Sequence, residues 1–427
     1  MSSPSLSRIP PQPPPDRAWC MRLFLTVFVV ALLVRAGLGV FSFVRSGDPN
    51  RLEFPDEEQY WLMACSLHGG DGLTDELGFR ATRMPLYPGL LSLFAGNPNC
   101  AAAAKVMQWF AGAAGGVLAA GLALAVFGKR PALVAGLLVA FDPFLAFFSS
   151  LLLTETLSIA AVCGLWWLAW RSIGPGGETG SVWCFVALGC VAAVCVYLRE
   201  SNLVLVAFLL VFLLCAGRFK GRIVVGVVVC AAVVVLALFP WASRNRSVTG
   251  DWCWLTHRGG ISLYDGVGPQ ATGASNLGDI KSMPAVAGLD EVEWNRYFMT
   301  ESLRSMREDP GRILVLAVRK LARTWNPIPN VETYRSGMVR LVSAFWMVPV
   351  FAFAVAGIVV SSRREEGSGV VGVVFILLPV LHVVVMHSLF VGSVRYRLAA
   401  HPMIEILAAV ALMAVVSRIR SGRRMGA

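Results

Sequence analysis

Apolar stretches close to 20 residues long recur along the whole sequence, and 20 residues is the length an α-helix needs to cross the hydrocarbon core of a bilayer. They occupy about 23–42, 102–127, 131–150, 151–170, 181–198, 202–217, 223–241, 339–361, 369–392 and 399–416, ten in all. A soluble domain carries about 25% charged residues; this chain of 427 carries 15%, with 56% hydrophobic residues. The pattern excludes a soluble enzyme, a secreted disulfide scaffold and a disordered protein. It predicts an all-α polytopic membrane protein of about ten transmembrane helices.

Two divisions follow from length. Residues 131–170 would make one helix of about 60 Å at 1.5 Å per residue, twice the bilayer core, so the chain must turn back between Pro143 and Leu152. Residues 181–217 are also too long, and Arg199-Glu200-Ser201-Asn202 marks their turn. Residues 1–22 hold six prolines and read as a flexible cytoplasmic tail. The block 23–42 contains Arg35 and no clear small-residue cleavage site, so it reads as a retained anchor. Residues 23–427 form one membrane domain.

The formal net charge of +11 is distributed by side rather than gathered for nucleic acid. With ten spans the tail and the loops on its side hold 15 Lys and Arg, whereas the short loops opposite hold Arg199, Arg395 and Arg397 only. The positive-inside rule then places both termini in the cytoplasm and the segments 43–101 and 242–338 outside, in a multi-pass cell (inner) membrane protein. Most of the 10 cysteines lie in apolar runs, and no Cys-x-x-Cys occurs.

The polar outer segments carry the candidate chemistry. Pro55-Asp56-Glu57-Glu58-Gln59-Tyr60 is a well-formed helix start, with Pro at the first position and acids against the positive end of the dipole. It reads as an interfacial helix or as a carboxylate cluster able to act as a general base. Glu57 and Glu58 turn away from the face of Asp56 at about 100° per residue. Arg83-Met84-Pro85-Leu86-Tyr87-Pro88 is a rigid loop against the bilayer, or one in which Arg83 binds an anion beside Asp56 through its planar fork. Glu155 lies about one turn inside an apolar helix, which makes it a functional candidate or the partner of Arg199 on the same face. Arg312 to Trp325 is predicted to be an amphipathic helix on the outer membrane surface, with Arg312, Arg319 and Arg323 on one side as a solvated face and Leu314, Val318 and Leu321 on the other. Ser393-Val394-Arg395-Tyr396-Arg397 sets two arginines around a tyrosine. The spacing of His382, His387 and His401 matches no metal-ligand pattern, and Glu405, one turn beyond His401, is in reach to pair with it. Gly112-x-x-x-Gly116 is a helix-packing device. No phosphate-binding Gly-x-x-x-x-Gly-Lys and no Gly-x-Ser-x-Gly occurs.

In order, Asp56-Glu57 with Tyr60, Arg83 to Pro88, Thr154-Glu155-Thr156-Leu157 and Arg395-Tyr396 resemble the motifs of the GT-C membrane glycosyltransferases. The nearer likeness is to the bacterial family-39-like enzymes, with protein O-mannosyltransferases and the lipid A aminoarabinose transferase further off. Arg199 is followed by Glu200 where that family often has proline. The resemblance implies a sugar donor on a polyprenyl phosphate and a reaction on the extracytoplasmic face. The acceptor is a hydroxyl on a protein, a lipid or a polysaccharide. The resemblance implies Asp56 as base, Glu155 as a second carboxylate, and Arg199, Arg244 and Arg395 as donor-phosphate ligands, supported by Glu57, Tyr60, Arg83, Tyr87 and Tyr396. Besides membrane lipids no further partner is implied, and no nucleic acid. No cofactor is certain; a hard divalent cation would need oxygen ligands, for which Asp56, Glu57 and Glu155 are the available set. The alternative is a transporter or flippase of a lipid-linked glycan, for which repeated halves and broken midplane helices would be expected.

Overall fold

The computed structural model describes residues 16–97, 100–173, 181–363 and 368–425, and among them all regular structure is helical. In chain order the helices are α1 (Arg17–Ser46), α2 (Pro55–Gly69), α3 (Leu86–Ser92), α4 (Ala101–Phe127), α5 (Lys129–Phe141), α6 (Pro143–Phe148), α7 (Glu155–Ile173), α8 (Val182–Leu198) and α9 (Asn202–Ala216). They continue as α10 (Gly221–Thr249), α11 (Gly259–Val267), α12 (Leu277–Lys281), α13 (Glu291–Glu308), α14 (Pro310–Thr324), α15 (Gly337–Ser362), α16 (Ser368–Leu389), α17 (Val394–Arg397) and α18 (His401–Met425). The expected tail is shorter than residues 1–22, because Asp16 caps α1 and the helix starts at Arg17. The rest of that tail, and the loop residue Arg364, lie outside the described residues.

Among the described residues seven helical spans are long and apolar enough to cross a membrane: α1, α4, α7, α10, α15, α16 and the run Val394–Ser421 that holds α17 and most of α18. The other apolar stretches are helical but short. α8 has 17 residues and α9 has 15. The block 131–150 is two pieces rather than one span. α5 ends after 13 residues, about 20 Å at 1.5 Å per residue against a core of about 30 Å. Asp142 then accepts from the backbone N–H of Phe144 at 2.7 Å and of Leu145 at 3.0 Å, and Pro143, with no N–H to donate, opens α6. The turn at 199–201 lies where the sequence predicts it, between α8 and α9.

α4 packs between α1, α5 and α7, and α18 lies against α5 and α15. Gly112 allows the first contact: a Cβ there would sit 2.5 Å from Nε of Arg35. Arg35 is buried in α1, and its guanidinium donates to the carbonyls of Ala31, Val139 and Ala140. Beside it runs a polar network. Arg397 Nε donates to His401 Nε2 at 3.0 Å, which leaves the imidazole proton on Nδ1, 2.7 Å from Asp142 Oδ2. Glu405 therefore does not pair with His401, whose two nitrogens are taken by Arg397 and Asp142.

α14 is amphipathic with its apolar side outward, as expected, but its basic side is only partly solvated: Arg319 is exposed, whereas Arg312 and Arg323 are half-buried. Leu314, Val315 and Val318 are 70%, 51% and 69% exposed, while Leu316 is buried. Arg312 caps the carbonyls of Val267 and Gly268, Lys320 those of Gly266 and Leu389, and Arg323 that of Gly392. Arg312, Lys320 and Arg323 turn inward to cap these loop carbonyls, of which Val267 and Gly268 also accept from Ser305 Oγ and the N–H of Ala271, while Arg319 stays exposed. The apolar side is left outward, as a lipid-facing helix requires.

Candidate active site

α2 presents Asp56, Gln59 and Tyr60 on one face, as the i, i+3, i+4 spacing dictates. Arg83 arrives from the loop before α3. Its Nη2 lies 2.5 Å from Asp56 Oδ1, its Nε 2.8 Å from Gln59 Oε1, and its guanidinium 4.8 Å from the centre of the Tyr60 ring. Arg395, on α17, lies between two carboxylates: Nη1 is 2.5 Å from Asp56 Oδ2 and Nε is 2.5 Å from Glu155 Oε1. Arg199, at the α8–α9 turn, reaches the same Glu155 oxygen at 2.9 Å. Residues far apart in sequence thus form one chain of ion pairs, Arg83–Asp56–Arg395–Glu155–Arg199.

The two carboxylates differ in access. The Asp56 side chain is 28% exposed and that of Glu155 is 1% exposed. Of the two, only Asp56 is open to solvent. Burial alone would raise its pKa, but the guanidinium groups of Arg83 and Arg395 outweigh burial and hold the carboxyl well below its usual range. Glu155 is the first residue of α7, not one turn inside it, and its Oε2 has no hydrogen-bond partner among the described residues.

Glu57 plays a structural part. One oxygen accepts from the N–H of Glu53 at 2.8 Å and of Phe54 at 3.1 Å, and the other from Leu152 at 2.6 Å. It ties the start of α2 to the turn before α7. Tyr87 lies behind the cluster, fully buried, edge-on to Tyr60 with its hydroxyl 3.3 Å from Gln108. Tyr396 stacks on His387 at 4.4 Å and lies 5.9 Å from both Arg199 and Arg395. Arg244 is not brought into the cluster: its guanidinium donates to the carbonyl of Arg80 and lies over Trp241.

Three participants were not singled out from sequence as site residues. Gln59 links Arg83 to Arg258, whose Nη1 is 3.4 Å from the same oxygen. Glu200 accepts from the hydroxyl of Thr256, and burial pushes its carboxyl up. The i+3 spacing from Asp56 is a signal that would have found Gln59. Nothing local marks Arg258, which reaches the site because the segments 43–101 and 242–338 are stitched together. The N–H of His257 donates to the carbonyl of Ala81 at 2.8 Å, and Glu291 accepts from the N–H of Arg80 and Ala81 at 3.1 and 2.8 Å.

The residues proposed for a divalent cation do not fit one. Glu57 is taken up by three backbone donors, and Arg395 separates Asp56 from Glu155. Among the described residues no three His, Cys, Asp or Glu side chains converge. Three guanidinium groups, of Arg83, Arg199 and Arg395, share two carboxylates, Asp56 and Glu155, a setting for an anion.

A helical membrane bundle with its polar cluster at the head of α2, α7, α9 and α17 is the GT-C membrane fold. No family model and no curated protein matches the sequence. Among solved structures, the chain is similar to the archaeal oligosaccharyltransferase AglB from Archaeoglobus fulgidus in complex with an inhibitory peptide and a dolichol-phosphate. The TM-score is 0.60 at 14% identity, over 95% of this chain and 51% of that one. A complex of the same Archaeoglobus enzyme with Zn and sulfate matches at TM-score 0.53 and 14% identity, over 92% of this chain and 51% of that one. ArnT from Cupriavidus metallidurans bound to undecaprenyl phosphate gives TM-score 0.42 and 16% identity, over 95% of this chain and 79% of that one. The chain spans about half the length of the archaeal enzyme, and the likeness is one of fold.

Proposed function

We propose that this protein is a glycosyltransferase that moves one sugar from a polyprenyl-phosphate donor to an acceptor hydroxyl on the extracytoplasmic face. The observation that carries the reading is the cluster itself: a partly open carboxylate, Asp56, among guanidinium groups that outnumber the acids. The archaeal structure of similar fold was solved with a dolichol-phosphate, a lipid phosphate of the class that the proposed transfer would release.

The chemistry follows from these positions. The acceptor hydroxyl gives its proton to Asp56 while its oxygen attacks the anomeric carbon. The bond from that carbon to the phosphate oxygen breaks, and the electron pair leaves with the polyprenyl phosphate. The diester donor carries one negative charge, and the monoester product gains a second ionisation with pKa near 6. A net positive cluster therefore favours the leaving group over the bound donor, which lowers the barrier. In the donor-free state Arg395 is divided between Asp56 and Glu155. A phosphate that draws Arg395 toward itself relieves Asp56 of one cation and makes it a stronger base. Glu155, closed to solvent, holds Arg199 and Arg395 in place.

The distribution of basic residues supports cytoplasmic termini and an outer active face. A cysteine at Gly278, exposed and free of close neighbours, should react with an impermeant thiol reagent in intact cells above the native background. One at Lys220 should not; the reverse pattern would overturn the orientation. Function is tested by mass spectrometry of envelope glycans and lipids from cells lacking the gene. One sugar should disappear from an acceptor while its polyprenyl-phosphate form accumulates. Unchanged glycans with unchanged lipid pools would refute the proposal.

A further inference from the structure

The geometry points to Arg258 as the group that receives the phosphate of the lipid-linked sugar; this rests on the glycosyl-transfer reading and deepens it. Arg83, Arg199 and Arg395 each hold a carboxylate at 2.5–2.9 Å. Among the described residues Arg258 has no such partner. Its side chain makes a single contact of 3.4 Å with Gln59 Oε1, an oxygen that Arg83 already approaches at 2.6 and 2.8 Å. An anion arriving at the other three arginines meets a guanidinium whose charge a carboxylate already shares. At Arg258 it meets one without that pairing.

The backbone around Arg258 is held firmly although its guanidinium is not. The N–H of His257 bonds to Ala81, the hydroxyl of Thr256 bonds to Glu200, and the N–H of Gly260 donates to Asn295 Oδ1 at 2.7 Å. Gln59 is clamped as well, since its Nε2 donates to Glu76 at 3.1 Å. An uncommitted guanidinium on a fixed stretch of backbone beside Asp56 is a ready anion site. Burial and the neighbouring Arg83 push the pKa of Arg258 down, a cost that an anion beside it removes. The planar fork suits two oxygens of one phosphate.

The ligand class is a phosphate mono- or diester, and its source is either the lipid headgroup or free phosphate. Full-length protein in nanodiscs should be tested for equilibrium binding of a radiolabelled prenyl phosphate, with inorganic phosphate as competitor. Arg258→Gln should weaken prenyl-phosphate binding about 10–100-fold, as for a hydrogen bond to a charged group. Arg258→Lys should recover part of it. Arg246→Gln, an exposed arginine of the same segment, should leave it unchanged. Inorganic phosphate should compete in the parent protein and lose that ability in Arg258→Gln. Binding of Arg258→Gln within twofold of the parent, or a parent that binds no prenyl phosphate, would overturn the assignment. So would weakened lipid binding with phosphate competition unchanged, since Arg258 would then act on the lipid tail or the fold. Because binding is read without turnover, Arg258-dependent binding by a chain that transfers no sugar would refute glycosyl transfer and leave this assignment standing.

Discussion

Asp56→Asn should lower sugar transfer about 10²–10⁴-fold while the protein still folds and binds donor, the usual cost of losing a general base. The amide keeps the size of the side chain but cannot take the acceptor proton. The fold should tolerate the change, because Arg83 keeps Gln59 and Arg395 keeps Glu155. Glu57→Gln is the informative neighbour. Glu57 is 0% exposed and accepts three backbone N–H groups, so its loss should appear as reduced stability with turnover per folded molecule retained. Near-parent turnover by Asp56→Asn would remove Asp56 from the reaction. Acidification gives a second check. A carboxylate whose folded pKa is depressed stays ionised, and keeps its ion-pair stabilisation, above the unfolded value of about 3.9. It is lost only as the pH falls toward the lower folded value. Asp56 should therefore produce no acid limb in kcat/KM of the free enzyme within the usual carboxylate range.

Asp142→Ala should destabilise the protein by about 3–5 kcal/mol, because three buried donors lose one charged acceptor at about 1–3 kcal/mol each before relaxation. Asp142 is 0% exposed and serves both as the cap of α6 and as the acceptor of His401. Its removal strands two N–H groups and an imidazole where water cannot replace it, and leaves Arg397 beside an unanchored ring. Thermal unfolding in detergent measures this. Asp16→Ala, the exposed cap of α1, should cost about 1 kcal/mol or less by the same method. Equal effects from the two would show that the Asp142 network is not an anchor of the bundle.

The helical membrane fold was legible because the bilayer imposes length. Overlong apolar stretches had to break, and they do so at Asp142-Pro143 and at 199–201. The core of the cluster was legible for a related reason: a charge such as Glu155 at the end of an apolar helix needs partners, and the same-face arginines are those available. What stayed hidden depends on contacts between segments with no periodicity. Arg244 and Arg258 look alike in sequence, and only the stitching of Ala81 to His257 brings the second of them to Gln59. The role of Glu57 was hidden because its donors are backbone groups, one of them at Leu152. The basic side of α14 misled for a simple reason: Arg312 and Arg323 cap carbonyls rather than face water, and nothing in a helical pattern marks the loop carbonyls they meet.

The most direct test is to follow both products when the purified chain, in sealed vesicles, is given a polyprenyl-phosphate sugar labelled in the sugar, together with envelope acceptors. Transfer by the Asp56–arginine cluster predicts one polyprenyl phosphate released for each labelled sugar joined to acceptor, and loss of both in Asp56→Asn. Labelled donor that crosses the bilayer intact, with no polyprenyl phosphate released and no difference between the parent and Asp56→Asn, would contradict it and identify a transporter instead.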